Sequence, residues 1–319
     1  MIVQSKAPVR IDFAGGWTDV SIFAASAGGA VVNATINKYV HGRMYVLDTE
    51  DPVKRRVSGP SGKYVVETDA GEGIEVAYRS DLPAGSGLGT SATLNVVWLS
   101  LIKSKVQSDE DRRTIAELSY DLERILGILG GKQDQYASAF GGFNYFTFGE
   151  AVGVERLNVA PETVAELESR LVLCYAGKSR LSSGIHGDVW GNYRGGNPDT
   201  VNALYSLRNV AIRMRTVLLE GNVEEFGDLL ARGEREGDPS LSIAALNGLA
   251  AVAMRRKDFE SAYQLVERAR AIADGAEVGK RERLPIYLNL THVLTELDRL
   301  DEALTWAIRA AGLLDNKDE

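Results

Sequence analysis

The chain has one cysteine, Cys174, and three histidines, His41, His186 and His292, among its 319 residues. A single thiol forms no disulfide within the chain, and histidines this far apart set no metal-binding spacing. A reducing cytoplasm is the expected compartment. No apolar run approaches the roughly eighteen residues of a membrane span, and the start MIVQSKAPVR lacks the charged-then-apolar order of a signal peptide. The sequence therefore suggests no membrane association. Clustered positive charge is also lacking. The formal net charge is −8, and from Glu234 onward 16 acidic side chains stand against 12 basic ones. Neither half suits the phosphate backbone of a nucleic acid.

Glycine is scarce in one part only: 27 of the 33 glycines precede residue 233. The first part is thus suited to tight turns and close backbone approach. Its β-branched and aromatic runs predict strands at Ala30–Thr35, His41–Leu47, Lys63–Glu67, Ile74–Tyr78, Phe143–Phe148 and Arg170–Tyr175. Between them, Thr90–Lys105, Asp111–Leu126 and Lys132–Phe140 read as helices. The expected fold class is α+β. After Arg232 the pattern is helical alone, with small residues at Ala262, Val266 and Ala269 and again, 41 residues on, at Ala303, Ala307 and Ala310. This segment resembles tetratricopeptide repeats, whose small residues let paired helices approach. The expected domains are 1–150, 151–232 and 233–319.

The most informative stretch is Pro83-Ala84-Gly85-Ser86-Gly87-Leu88-Gly89-Thr90-Ser91-Ala92, which leads into an apolar helix. Such a loop can turn successive N–H groups into one concavity, and the helix adds its own unsatisfied N-terminal donors. Together they make an anion site. The spacing fits neither the dinucleotide fingerprint, which needs glycine where Thr90 stands, nor the Walker loop, which needs Gly-Lys-Ser/Thr.

The loop closely resembles the phosphate-binding motif of the GHMP kinases (galacto-, homoserine, mevalonate and phosphomevalonate kinases). Ala7-Pro8-Val9-Arg10-Ile11-Asp12-Phe13-Ala14-Gly15-Gly16-Trp17-Thr18-Asp19 resembles their first motif, in the form found in heptose 7-phosphate kinases. Gly130-Gly131-Lys132-Gln133-Asp134-Gln135-Tyr136 is similar to the same branch, and Tyr175-Ala176-Gly177-Lys178-Ser179-Arg180 resembles its substrate-domain strand and loop. The resemblance covers about Ile2 to Arg232 and implies a ribosomal protein S5 domain 2-like fold.

The resemblance also implies roles. Pro83, Gly85, Ser86, Gly87, Leu88, Gly89, Thr90 and Ser91 would cradle the phosphates of ATP, with Ser91 and Glu123 serving Mg2+. Glu123 could equally belong to a solvated helix face. Asp134 would accept or orient the proton of the acceptor hydroxyl, with Arg10 stabilising charge on the transferred group. The alternative is an ion pair that holds a helix to a strand. Gly16, Thr18 and Asp19 would meet sugar hydroxyls, or Thr18 and Asp19 would cap the next helix. Lys178, Arg180, Ser182 and Ser183 would hold a phosphate already on the substrate, or be surface charges. His186 and Trp190 read as local packing.

GHMP kinases ordinarily end on a further glycine-rich loop and strand, and no such motif follows here. Two readings stand: an ATP-dependent kinase acting on a sugar or sugar phosphate, or a weakly active or inactive scaffold that uses its helices to bind a protein. Two hairpins bury little between themselves, and Leu246, Leu249, Val252, Tyr287, Leu290, Leu294 and Leu304 offer more apolar surface than one hairpin contact hides. Docking of these helices on the first part, on a second copy or on a partner is therefore expected.

Overall fold

The computed structural model describes residues 2–48, 63–66, 72–83, 86–128, 130–173, 183–235, 239–276 and 278–315. The chain divides into two compact units, Met1–Ala165 with Lys178–Leu229, and Glu166–Gly177 with Leu230–Glu319.

The first unit is built on a six-stranded antiparallel sheet: β1 (Ile2–Ala14), β2 (Gly29–Asp48), β3 (Lys63–Val66), β4 (Glu72–Ser80), β5 (Phe143–Phe148) and β6 (Gly153–Arg156). β2 is the spine. One edge pairs with β1; the other pairs first with β5, Gly29 to Ala34, and then with β4, Val40 to Asp48. The two expected strands Ala30–Thr35 and His41–Leu47 are thus one 20-residue strand. The register of β1 on β2 shifts between Pro8 and Arg10 and again between Asp12 and Ala14. Bulges of this kind re-aim side chains beside functional sites, and here they bracket Arg10 and Asp12.

Helices α1 (Ser21–Ala27), α2 (Thr90–Lys103), α3 (Asp109–Ile125) and α4 (Gln133–Phe140) follow the expected positions where these were given. α3 begins where Ser108 and Asp111 exchange side-chain and backbone bonds in a capping box. Val96, Val97 and Leu101 of α2, Ile115 of α3 and Tyr136 and Phe140 of α4 pack on Val31, Phe146 and Phe148 of the sheet. Each such buried side chain contributes roughly 1.5–3 kcal/mol. Gly42 permits the approach: a Cβ there would lie 2.5 Å from Val97. α7 (Pro198–Glu220) also packs on β1 and β2, while Trp190 of α6 (Ser183–Arg194) joins Phe23 and Leu204 in a smaller cluster.

Residues 161–170 form α5 and 171–173 have no strand pairing, so the expected strand Arg170–Tyr175 is corrected. Val164, Leu167 and Leu171 recur at helical rather than strand spacing, and Pro161 suits a helix start. Cys174 and Tyr175 lie outside the described residues.

α8 (Val223–Arg235) closes the first unit and leads into the second, which is helical: α9 (Pro239–Arg255), α10 (Phe259–Gly275), α11 (Lys280–Glu296) and α12 (Leu300–Asp315). The 41-residue repeat holds at the backbone. Lys257 and Asp298 both adopt positive φ, 60° and 58°, and the turns around them make the same hydrogen bonds, Asp258 N–H to Ala253 and Arg299 N–H to Leu294. Ile243, Leu246, Ala250, Val266, Ala269, Ile286, Leu290 and Leu294 form one core. The unit therefore hides more of its own apolar surface than expected. Leu304, by contrast, is 62% exposed.

Candidate active site

β4 ends at Ser80, and the chain turns through Asp81, Leu82 and Pro83 towards α2. Ala84 and Gly85 lie outside the described residues. Gly87 and Gly89 hold φ of 76° and 71°, the left-handed region that glycine enters without penalty. Gly89 is the N-cap of α2, so the first turn of that helix points its free N–H groups at the loop. Ser86 and Thr90 hydroxyls meet at 3.1 Å. Ser91 is exposed beside them.

Arg10 joins the motifs. Its Nε donates to Asp134 Oδ1 at 2.7 Å and another guanidinium nitrogen lies 2.6 Å from the same oxygen, while Nη1 donates to the Gly87 carbonyl at 3.0 Å. The Arg10 amide also reaches the Leu88 carbonyl at 3.4 Å. Burial alone would lower the pKa of Arg10, yet Asp134 and Asp12 hold it above its ordinary value. A Cβ on Gly89 would lie 3.0 Å from the Asp134 carboxyl, so that glycine serves both the turn and the approach of Asp134.

Asp19 does not cap α1, whose N-cap Val20 makes no side-chain bond. It accepts the Gln133 N–H at 3.0 Å instead, at the start of α4. A side chain at Gly131 would collide with its carboxylate, and one at Gly16 would collide with Asp12. Burial pushes Asp19 up to about 7 and Asp12 up to about 6. Thr18 is fully buried, with its hydroxyl 2.7 Å from the Gly15 carbonyl and accepting the Ala30 N–H at 3.1 Å. That hydroxyl is committed to the turn, which removes it from the expected sugar contacts.

Glu123, on α3, is 8% exposed and accepts from Gln135 Nε2 at 2.6 Å, which sets aside the solvated-face alternative. Burial, with the nearby Asp134 charge, pushes it up to about 7. Among the described residues no group of three or more His, Cys, Asp or Glu could hold a metal ion. A magnesium ion that keeps its waters and binds nucleotide phosphates needs only one or two carboxylates, a number that Glu123 alone supplies. Lys178, Arg180 and Ser182 lie outside the described residues, and Ser183 opens α6. Trp190 is buried beside Trp17, their rings 5.9 Å apart, as local packing requires.

Asp12 and Gln133 were not expected in the site, although both stand in the motifs. Gln133 Nε2 donates to Asp12 Oδ2 at 3.4 Å while its N–H serves Asp19. A cavity of about 350 Å³ between the start of β1 and the C-terminal ends of α2 and α4 contains neither Arg10 nor Asp134.

Residues 60–142, which hold the glycine loop, Glu123 and Asp134, match the model of the GHMP kinases N terminal domain. The chain carries a GHMP kinase N-terminal domain. It is 29% identical over 260 residues to D-glycero-alpha-D-manno-heptose 7-phosphate kinase of Campylobacter jejuni, covering 73% of this chain and 76% of that one. It is 28% identical to the L-fucokinase/L-fucose-1-P guanylyltransferase of Bacteroides fragilis, over 72% of this chain and 30% of that bifunctional protein. Among solved structures, a D-glycero-D-manno-heptose 1-phosphate kinase from Bacteroides thetaiotaomicron matches with a TM-score of 0.56 and 29% identity, over 74% of this chain and 79% of the other. Leishmania major mevalonate kinase shares the fold at 13% identity and a TM-score of 0.51. No helix of the kinase domain, or of the other described residues, is long and apolar enough to cross a membrane.

Proposed function

We propose that this chain transfers the terminal phosphoryl group of ATP to a sugar hydroxyl, with the anomeric hydroxyl of a heptose 7-phosphate or a related sugar as the acceptor. The observation that carries the reading is the Arg10–Asp134 pair set directly against the Gly87 carbonyl of the loop. Phosphoryl transfer is mostly positioning and charge stabilisation, and the pair supplies both. Asp134 accepts or orients the proton of the attacking hydroxyl. Arg10, anchored to the loop, faces the charge that develops on the transferred group. Gly87, Gly89 and the first turn of α2 offer N–H groups to the nucleotide phosphates, together with Ser86, Leu88, Thr90 and Ser91.

Glu123 and Ser91 would hold Mg2+, which neutralises phosphate charge when bound. Asp19 is the acceptor for a sugar hydroxyl, using the oxygen not engaged by Gln133. A phosphate already on the sugar would fall to Lys178 and Arg180 with Ser182 and Ser183. A cytoplasmic location is part of the proposal, since the single cysteine suits a reducing compartment.

The test is ADP release with heptose 7-phosphate, free heptose and fucose as acceptors, in wild type and Asp134→Asn. Acceptor-dependent release that Asp134→Asn abolishes supports the reading; no release with any acceptor refutes it. Gly87→Val adds a branched side chain where the protein leaves open space at positive φ. It should weaken Mg·ATP binding in a titration. A second reading is favoured by the helices that follow α8 in place of further strands: a weak or inactive kinase scaffold in which the repeats bind a partner protein or a second copy. Tetratricopeptide-like stacking of α9 to α12 is part of that proposal.

A further inference from the structure

A row of polar side chains runs across the strands beneath the candidate site. Asp12 on β1 stands opposite Asn33 on β2, and Asn33 stands opposite Asn144 on β5. Directly opposed residues of antiparallel strands share a face. α4 lies over that face, since Gln133 bonds to Asp12. Two residues along each strand on the same face, Val31 and Phe146 belong to the apolar core. Asn33 and Asn144, each 0% exposed, interrupt it.

The row does not satisfy itself. Asp12 Oδ1, Asn33 Oδ1 and Nδ2, Gln133 Oε1 and Asn144 Oδ1 have no hydrogen-bond partner in the protein. The amide orientations of two members are fixed by their other bonds. Gln133 Nε2 serves the Asp12 carboxylate, and Asn144 Nδ2 serves the Gly141 and Gly142 carbonyls at 3.2 Å. Four buried oxygens therefore ask for donors, while one amide nitrogen, that of Asn33 with its two N–H donors, is on offer. Isolated groups of this kind are strongly disfavoured, and near-isosteric apolar side chains would serve the fold better. An excess of acceptors in a buried site selects a small, donor-rich occupant, which describes water.

We propose that Asp12, Asn33, Asn144 and Gln133 enclose an ordered-water site beneath the Arg10–Asp134 pair, and that the two asparagines act as positioning residues through it. The water links the asparagines to Asp12. Asp12 holds Gln133, and Gln133 fixes the first turn of α4, from which Asp134 projects. The charged groups facing Asp12 are Arg10 on its own strand, Asp19 in the following turn and Asp134 on α4. The activity arm of the test rests on the kinase reading; the titration arm does not.

Asn33→Leu and Asn144→Leu remove the polar groups at nearly constant volume. The thermal midpoint should hold or rise in both, while kcat falls about tenfold or more with KM for ATP unchanged. Asn33→Ser, which keeps a hydroxyl, should recover part of the loss. Independently of turnover, a carboxyl-carbon NMR titration of Asp12 should move upward by about one pH unit in Asn33→Leu, because the ionised form loses its water. Wild-type kcat in both leucine variants overturns the positioning role, and an unmoved Asp12 titration overturns the water site. Should Asn33→Leu fail to fold, Asn144→Leu and Asn33→Ser decide by the same two readouts. A thermal midpoint raised by potassium or sodium chloride over choline chloride would place a monovalent cation there and overturn the assignment to water. A wild type without turnover removes the kinase reading and leaves the titration to decide the site.

Discussion

The two units bring their elements together by different means. In the first, glycine makes the close approaches: Gly42 admits α2 to the sheet, Gly89 admits Asp134 and Gly131 admits Asp19. In the second, alanine does so, with Ala250, Ala262 and Ala269 fully buried between helices. A glycine leaves room for a carboxylate to sit against backbone, whereas an alanine leaves room only for another helix. The difference extends to polar burial. Among the described residues, every buried side-chain polar atom without a protein partner, from Asp12 to Arg208, lies in the first unit.

The largest expected effect belongs to the first unit and leaves its fold alone. Asp134→Asn should lower turnover by roughly 10² to 10⁴, the range for a positioned acid–base group, with little change in thermal midpoint. A large loss of stability instead would make the Arg10 pair structural. The second unit should respond in the opposite way. Leu290 is fully buried in its core, and Leu290→Ala should destabilise by about 2–5 kcal/mol in urea unfolding, while Mg·ATP titration still detects binding. Equal loss of binding would erase the contrast between the units.

A smaller effect follows from charge. Asp12, Asp19 and Glu123 are raised to about 6, 7 and 7 by burial, so the folded state binds their protons more tightly than the unfolded state does. Their contribution is greatest below the unfolded carboxylate range and is lost as pH rises to about 7, by up to about 1.4 kcal/mol per pH unit for each group. Asp19→Asn should flatten the fall in stability between pH 4 and pH 7, measured by denaturant midpoints. An unchanged slope would mean that Asp19 does not titrate in this window. Smallest of all, Leu304→Gln on the exposed face of α12 should change stability by no more than about 0.5 kcal/mol. A larger loss would show that this face is covered in solution, and light scattering would then reveal the self-association.

Much of this was legible in the sequence. That Arg10, Gly87 and Asp134 come together could be anticipated because all three stand in ordered motifs along the chain. The 41-residue repeat could be found because its small residues recur, although sequence placed Leu304 among the apolar residues to be hidden. β1 was missed since its charged residues obscure the alternation, and β2 was read as two strands since periodicity does not report which neighbour pairs with which half. Asp12, Asn33 and Asn144 escaped because they meet only through register across three strands, and Gln133 because its bond to Asp12 runs from helix to strand. The signal that could have found the asparagines is a polar residue two positions from an inward apolar one, as in Val31-Val32-Asn33 and Asn144-Tyr145-Phe146.

The shared edge of β2 also bears on the order in which the molecule can assemble. β1 and β4 are near β2 in sequence, so their pairing closes short loops. β5 must return across more than a hundred residues, Gly29 meeting Phe148, and closing so long a loop is slow. A chain still being synthesised, with Phe143 not yet made, can already hold its glycine loop between β4 and α2. It has no β5 to anchor the far end of α4, and no Asn144 to complete the polar row. The glycine-loop side of the candidate site can thus take shape before the side that carries Asp134 is fastened down, and the strand that returns last completes the arrangement.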